Sequence, residues 1–376
     1  MAGPTFQSGI FPAVYLKITK AFTVIKQNGS RAKKPRRKLS DFAVKGDTAK
    51  HIETFSVLYS TLSPEALQEK ILSKYLLNPV VQCEYLYRGL NDNYLVRDSH
   101  SQYILRVYRH NWRDLQDIES EMELIQYLKS EGVSVSFPVP DREGTVIQEI
   151  HAPEGIRYAV LFSYAEGSTP LPKMTIYQGR ITGKELAKIH RLTINKRLGN
   201  NRCHLDVTAL LYKSFHAIKP CLEDRREDLM NLDEVITKLA LKFERISLSD
   251  LSFGICHGDF YPSNYHISRN NTITLFDFDA CCCSWLVMDI AAFCFATTQF
   301  YKNAKEINKA FLEGYQEIRM LHSMEIDLIP YFGAVNRIWV LATQCSNFEV
   351  FSHFVRTNIK RDIIANLNKY VDKYCT

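Results

Sequence analysis

Residues 255–280 read ICHGDFYPSNYHISRNNTITLFDFDA. Proline at 262 and the Asn270-Asn271 pair mark turns, and the short apolar runs flanking that pair predict a loop followed by a hairpin. The surroundings read differently. Apolar faces recur at helical spacing over 183–192, 207–218, 225–246, 287–300, 305–321 and 359–374, so the hairpin is expected to be set into helices. CCCSWLVMD, after Ala280, is expected to lead directly into one of them.

Upstream the pattern turns to strands. CEYLYR, YLV and YILRVY between 83 and 108, then TVIQEI and RYAVLFSY up to 164, alternate aromatic and β-branched residues around polar turns. One helix interrupts them: Leu115, Ile118, Met122, Ile125 and Leu128 recur at helical spacing, and Gly132 closes the run. A shorter helix is expected after Ser63, which precedes Pro64 as an N-cap, with Leu67, Ile71 and Tyr75 on its face. These segments predict an α+β chain: a poorly ordered extension over 1–50, a β-rich N-lobe over 51–166 with one main helix, and a mainly helical C-lobe over 167–376.

The 376 residues, 46% hydrophobic and 23% charged, have ordinary globular composition. Their net charge of +6 is unevenly spread: residues 1–50 hold eleven Lys or Arg against Asp41 and Asp47, so the remaining 36 basic and 39 acidic residues sum to −3. Such a body is a poor nucleic-acid surface, whereas the basic tail can touch an acidic partner. The longest apolar stretch, near Trp285–Phe295, contains Asp289 and is shorter than the ~20 residues of a membrane span. With no secretory signal and no paired CxxC motif, the cytoplasm is the expected compartment. Cys281, Cys282 and Cys283, being adjacent, are expected to pack as small apolar residues.

Within the hairpin, His257, Asp259, Asn264 and Asp277 carry chemistry. Phosphoryl transfer needs a carboxylate beside the acceptor hydroxyl, to orient it and take its proton, and a second carboxylate with an amide oxygen to hold Mg²⁺ against nucleotide phosphates. Asp259 suits the first task; Asn264 and Asp277 suit the second. Asp259 and Asn264 lie five residues apart, as in a protein-kinase catalytic loop, with Gly258 where kinases carry arginine.

HGDFYPSN followed by FDFDA resembles the aminoglycoside phosphotransferase and choline kinase superfamily, a kinase-like group that includes type II homoserine kinases and bacterial stress-response kinases. The likeness covers residues 55–345 and implies a two-lobed protein-kinase-like fold using ATP and Mg²⁺. It implies that Arg106 and Glu121 form the ion pair that fixes the nucleotide phosphates, with Glu119 and Glu123 as competitors for the acidic partner. Gly89 and Asn91 fall in its reduced phosphate loop, and Phe162, Ser163, Tyr164 and Ala165 in the hinge whose backbone meets adenine. Asp289 matches the aspartate that braces the catalytic loop, with His257 beside it; His190 reads as structural. Asp279 either positions substrate or metal or completes a turn. Arginine at 106 departs from the lysine of protein kinases.

The resemblance implies transfer of the ATP γ-phosphate to a small-molecule hydroxyl, on an amino alcohol, a hydroxy amino acid or a related metabolite. A protein Ser/Thr kinase of the stress-response type, an aminoglycoside 3′-type phosphotransferase and a catalytically silent nucleotide-binding scaffold are the alternatives. The absence of an APE-like anchor after Asp277 weighs against a protein acceptor.

Overall fold

The computed structural model describes residues 55–79, 81–197, 204–352, 355 and 363–375; the predicted extension over 1–50 lies outside them. Five antiparallel strands, β1 (Gln82–Arg88), β2 (Asp92–Arg97), β3 (Gln102–Val107), β4 (Ile147–Ala152) and β5 (Gly155–Ser163), form a sheet in the order β1-β2-β3-β5-β4. Strand β3 is central, and its register sets Arg106 opposite Asn93 on β2 and Val160 on β5.

Helix α1 (Pro64–Lys70) starts where Ser63 accepts from the Ala66 amide, and Leu67 packs with Leu105, Val107 and Leu161 of the sheet. Helix α2 (Leu115–Ser130) is capped by Asp114 and buries Ile118, Met122, Ile125 and Leu128. Leu115 departs from the expected face: at the first turn of the helix it remains 38% exposed.

The helical part contains α3 (Ile176–Thr193), α4 (Arg226–Glu244), α5 (Val287–Phe300), α6 (Ala304–Gln316), α7 (Ser323–Ser346) and α8 (Ile363–Tyr374), with short helical turns from Thr208–Lys213 to Lys219–Leu222. Helix α7 is not anticipated by periodicity. It is buried on nearly every side from Tyr331 to Ile338 and contains Pro330, so it has no polar face to betray a helical repeat.

Two small ladders carry the central segment. Strands β6 (Phe253–Cys256) and β9 (Cys282–Trp285) pair antiparallel, as do β7 (Tyr265–Ile267) and β8 (Ile273–Leu275). The cysteine run therefore does not lead straight into helix. Cys282 faces Cys256 across the ladder, and Cys281, Cys282 and Cys283 are buried, which suits β pairing of small apolar side chains in a core.

One apolar cluster crosses from Ile118, Met122 and Ile125 of α2 through Tyr265, Leu275 and Phe278 to Phe293 and Phe311 of the helices. Backbone bonds reinforce it: Leu275 donates to Ser134 and accepts from Ser136, at 3.0 and 2.8 Å. The hairpin is thus packed on both lobes. No helix among the described residues is long and apolar enough to cross a membrane.

Candidate active site

The loop after β6 turns sharply. Gly258 has φ +81°, and a Cβ there would lie 2.1 Å from the Ala280 carbonyl oxygen. Only glycine permits that approach, which is a physical reason for the absence of the arginine found in protein kinases. Asp289, at the start of α5, accepts from the His257 and Gly258 amides at 2.7 and 2.9 Å. Behind it stands His190, with Nε2 3.2 Å from Asp289 and Nδ1 2.8 Å from the Tyr315 hydroxyl, to which Arg319 donates at 3.0 Å. Burial pushes the His190 imidazole below its ordinary pKa, despite the opposing pull of Asp289. A neutral ring donating through Nε2 to the carboxylate satisfies all of these bonds.

His257 is itself buried. Its Nε2 lies 3.1 Å from the Phe276 carbonyl, its ring stacks 4.4 Å from Phe278, and burial lowers its pKa. These contacts tie it to the hairpin and to Phe278. Asp259 is held by Asn264, whose amide donates to its carboxylate at 2.6 Å and to its carbonyl at 2.8 Å. Burial first, and then the neighbouring Asp277 carboxylate, hold Asp259 up at about 7, against the Asn264 hydrogen bond.

Asp277 stands at the end of the hairpin with φ +67°, a left-handed conformation that aspartate tolerates better than most residues. Arg106 reaches it from β3 across the lobe junction, with Nη2 2.9 Å from Oδ1. The other arm of that guanidinium lies 3.4 Å from Glu121 on α2, whose second oxygen accepts from the Tyr108 hydroxyl at 3.0 Å. Glu121 is fully buried while Glu119 and Glu123 are exposed. Burial works against the Arg106 charge, but Asp277, Tyr108 and Glu121 hold the group protonated. Its Nε is buried without a hydrogen-bond partner.

Among the described residues no group of three or more His, Cys, Asp or Glu could hold a metal alone. The donors present are hard oxygens: the Asn264 carbonyl, which accepts from Ser263 at 3.0 Å, and the Asp277 carboxylate, which is 37% exposed. That sparse set fits Mg²⁺, which keeps waters and shares its shell with substrate phosphates.

The remaining expected residues are placed as follows. Asn91 is buried in the β1–β2 turn; its side-chain oxygen accepts from the Arg109 amide at 3.2 Å and its nitrogen lies 3.3 Å from Asp279, so both ends face protein. Gly89 donates to the Asn91 carbonyl, and a Cβ there would meet the same oxygen at an ordinary contact distance of 4.0 Å. In the hinge stretch, Phe162 lies on β5, Ser163 donates its amide to Phe137, and the Ala165 carbonyl lies 2.6 Å from His266; Tyr164 follows the strand end. Asp279 is 5% exposed and meets Trp112, Arg113 and Asn91. Burial opposes its charge, but Arg113, Arg106 and these hydrogen bonds hold its carboxyl below the ordinary range.

Sequence reasoning overlooked Trp112 and Arg113 in RHNWRD, although an aromatic and an arginine in a loop beside the strand of Arg106 were a usable signal. It also overlooked Tyr261, whose hydroxyl donates to Asn336 of α7 at 2.6 Å and so ties the catalytic loop to a helix that was itself unforeseen.

Residues 88–325 match the phosphotransferase enzyme family. An uncharacterized protein of Synechocystis sp. is 33% identical over 76% of this chain and 79% of its own length. A homoserine kinase of Agrobacterium fabrum is 26% identical over 73% of this chain and 82% of its own. Among solved structures, amicoumacin kinase in complex with AMP-PNP, Ca²⁺ and Ami superposes with TM-score 0.67 at 20% identity, covering 83% of this chain and 94% of that one. That likeness concerns the fold, and it is the two-lobed kinase-like fold implied by HGDFYPSN and FDFDA.

Proposed function

The chain belongs to the phosphotransferase enzyme family, and from that premise we propose that it is a kinase which moves the γ-phosphate of ATP to a hydroxyl group of a small molecule, an amino alcohol or a hydroxy amino acid. The observation that carries the reading is the meeting of Asp259, Asn264 and Asp277 with Arg106 across the lobe junction, because phosphoryl transfer depends on positioning and charge more than on covalent chemistry.

Asp259 orients the acceptor hydroxyl and takes its proton; a carboxylate held near pH 7 is matched to that task. Asn264 keeps the carboxylate aimed and, with Asp277, would hold Mg²⁺. When bound, that ion neutralises charge on the nucleotide phosphates. Arg106, backed by Glu121, supplies positive charge to the same phosphates, and the β1–β2 turn covers them with backbone amides. Adenine meets the chain at Tyr164, since the Ser163 amide and the Ala165 carbonyl are engaged within the fold. The names of its relatives, homoserine kinase and amicoumacin kinase, point to a small acceptor rather than a protein.

The test is Mg²⁺-ATP turnover by purified protein against amino alcohols, hydroxy amino acids, aminoglycosides and a generic protein substrate. Asp259→Ala is expected to lower kcat on the preferred acceptor by about 10²–10⁴-fold. Equal turnover by the variant would remove Asp259 as the base.

A further inference from the structure

One buried carboxylate is left over from the chemistry proposed above. Asp279 lies two residues beyond Asp277, in the helical turn Phe278–Ala280, and both of its oxygens meet donors from the N-lobe. Oδ1 accepts from Arg113 Nε at 2.9 Å, and the same guanidinium donates through Nη2 to the Asp279 carbonyl at 2.7 Å. Oδ2 accepts from the Trp112 indole at 2.7 Å and from the Asn91 amide at 3.3 Å. These donors are 166 to 188 residues away in sequence.

Their places in the fold give the contact its meaning. Trp112 and Arg113 sit in the connection between β3, which carries Arg106, and α2, which carries Glu121. Asn91 sits in the β1–β2 turn, and its side-chain oxygen accepts from Arg109 in that same connection at 3.2 Å. A single carboxylate therefore joins the β1–β2 turn, the β3–α2 connection and the hairpin of Asp277. Bonds to an ionised group are stronger and more directional than neutral ones, so the junction fixes separation as well as contact.

We propose that Asp279 is a positioning residue: with Trp112, Arg113 and Asn91 it latches the N-lobe to the hairpin and so presets the nucleotide cleft, without itself ligating the metal. The proposal rests on the kinase reading, because it presumes that a nucleotide enters this cleft. It predicts that the latch governs nucleotide affinity whether or not Mg²⁺ is present, whereas a metal ligand matters only with the metal.

The experiment measures AMP-PNP dissociation constants by calorimetry on the full chain, in Mg²⁺ and in EDTA. Asp279→Asn removes the charge that gathers the donors and is expected to weaken AMP-PNP roughly tenfold under both conditions, the loss of about one charged hydrogen bond. Asp277→Asn is expected to weaken it in Mg²⁺ alone. Trp112→Phe keeps the ion pair and the ring but loses one donor; its loss of about threefold under both conditions carries the test if Asp279→Asn does not fold. Loss confined to Mg²⁺ in either latch variant, or binding within twofold of wild type under both conditions, overturns the latch alone. A wild-type chain that binds no nucleotide overturns the kinase reading, and the latch with it.

Discussion

Two buried arginines on adjacent strands of one sheet show how a scaffold differs from a site. Arg157 on β5 is 1% exposed and spends its whole guanidinium inside the N-lobe: on the carbonyls of Tyr108, Ser60 and Val107, and on Asp92 and Glu154. Among the described residues, Arg106 on β3 hydrogen-bonds Glu121 and the half-open Asp277, and its Nε has no hydrogen-bond partner. Removing charges from water is costly unless every donor is matched, so the first arrangement holds a fold together. In the second, an incompletely matched cation is retained beside a partly exposed carboxylate, as the proposed binding of an anion requires.

Matched substitutions would sharpen or break this contrast. Arg157→Lys keeps the charge but strands carbonyl and carboxylate partners, so unfolding free energy is expected to fall by about 2–4 kcal/mol, measured by urea denaturation. Arg106→Lys should instead alter stability by less than about 1 kcal/mol while weakening AMP-PNP roughly tenfold, because a single ammonium cannot serve Glu121 and the phosphates as a planar fork does. A stability loss equal to that of Arg157→Lys would erase the distinction.

Gly258→Ala probes the catalytic loop itself. Adding a Cβ at φ +81°, 2.1 Å from the Ala280 oxygen, is expected to cost about 1–3 kcal/mol and to detach the loop amides from Asp289. A variant that unfolds at the wild-type urea midpoint would show that the turn relaxes freely.

The smallest expected effect is a pH dependence. Asp259 is raised in the folded chain to about 7 from an ordinary value of 3.8, so in nucleotide-free and metal-free protein the unfolded chain loses this proton first as pH rises. The group contributes no penalty below the ordinary carboxylate range; the penalty grows through the interval up to about 7 and is complete above it. Asp259→Asn is therefore expected to be more stable than wild type at pH 8 by about 1 kcal/mol, discounted for partial exposure, and indistinguishable at pH 4. A thermal-melting difference that is the same at both pH values would assign the effect to something other than this proton.

Legibility in the sequence followed the range of the interactions. Strand β4 and helix α2 have a wet face and a dry face, so their periods are written in TVIQEI and the Ile118–Met122–Ile125 series, whereas β2 is buried along nearly its whole length and was legible through the aromatic and β-branched residues of YLV between polar turns. Strand β9 and the middle of helix α7, from Tyr331 to Ile338, are buried on all sides and carry no such alternation. The site divides the same way. Asp259 and Asn264 lie within one loop, and Asp277 closes the adjoining hairpin, so spacing along the chain already constrains them. Arg106 and Glu121 were reached only through family likeness, because nothing local links a strand arginine to a helix glutamate fifteen residues away.

By itself, the order of residues between His257 and Asp279 determined an amide five residues from one carboxylate, a second carboxylate thirteen residues further on, and the chemistry those groups can perform. Backbone geometry over so short a path leaves few alternatives. Tertiary packing alone decided that Asp279 would face Trp112, Arg113 and Asn91 rather than solvent, and that Asn91 would turn both ends of its side chain toward protein. The contacts of Asp279 join segments more than 160 residues apart, so their geometry depends on how the two lobes settle on a shared apolar cluster.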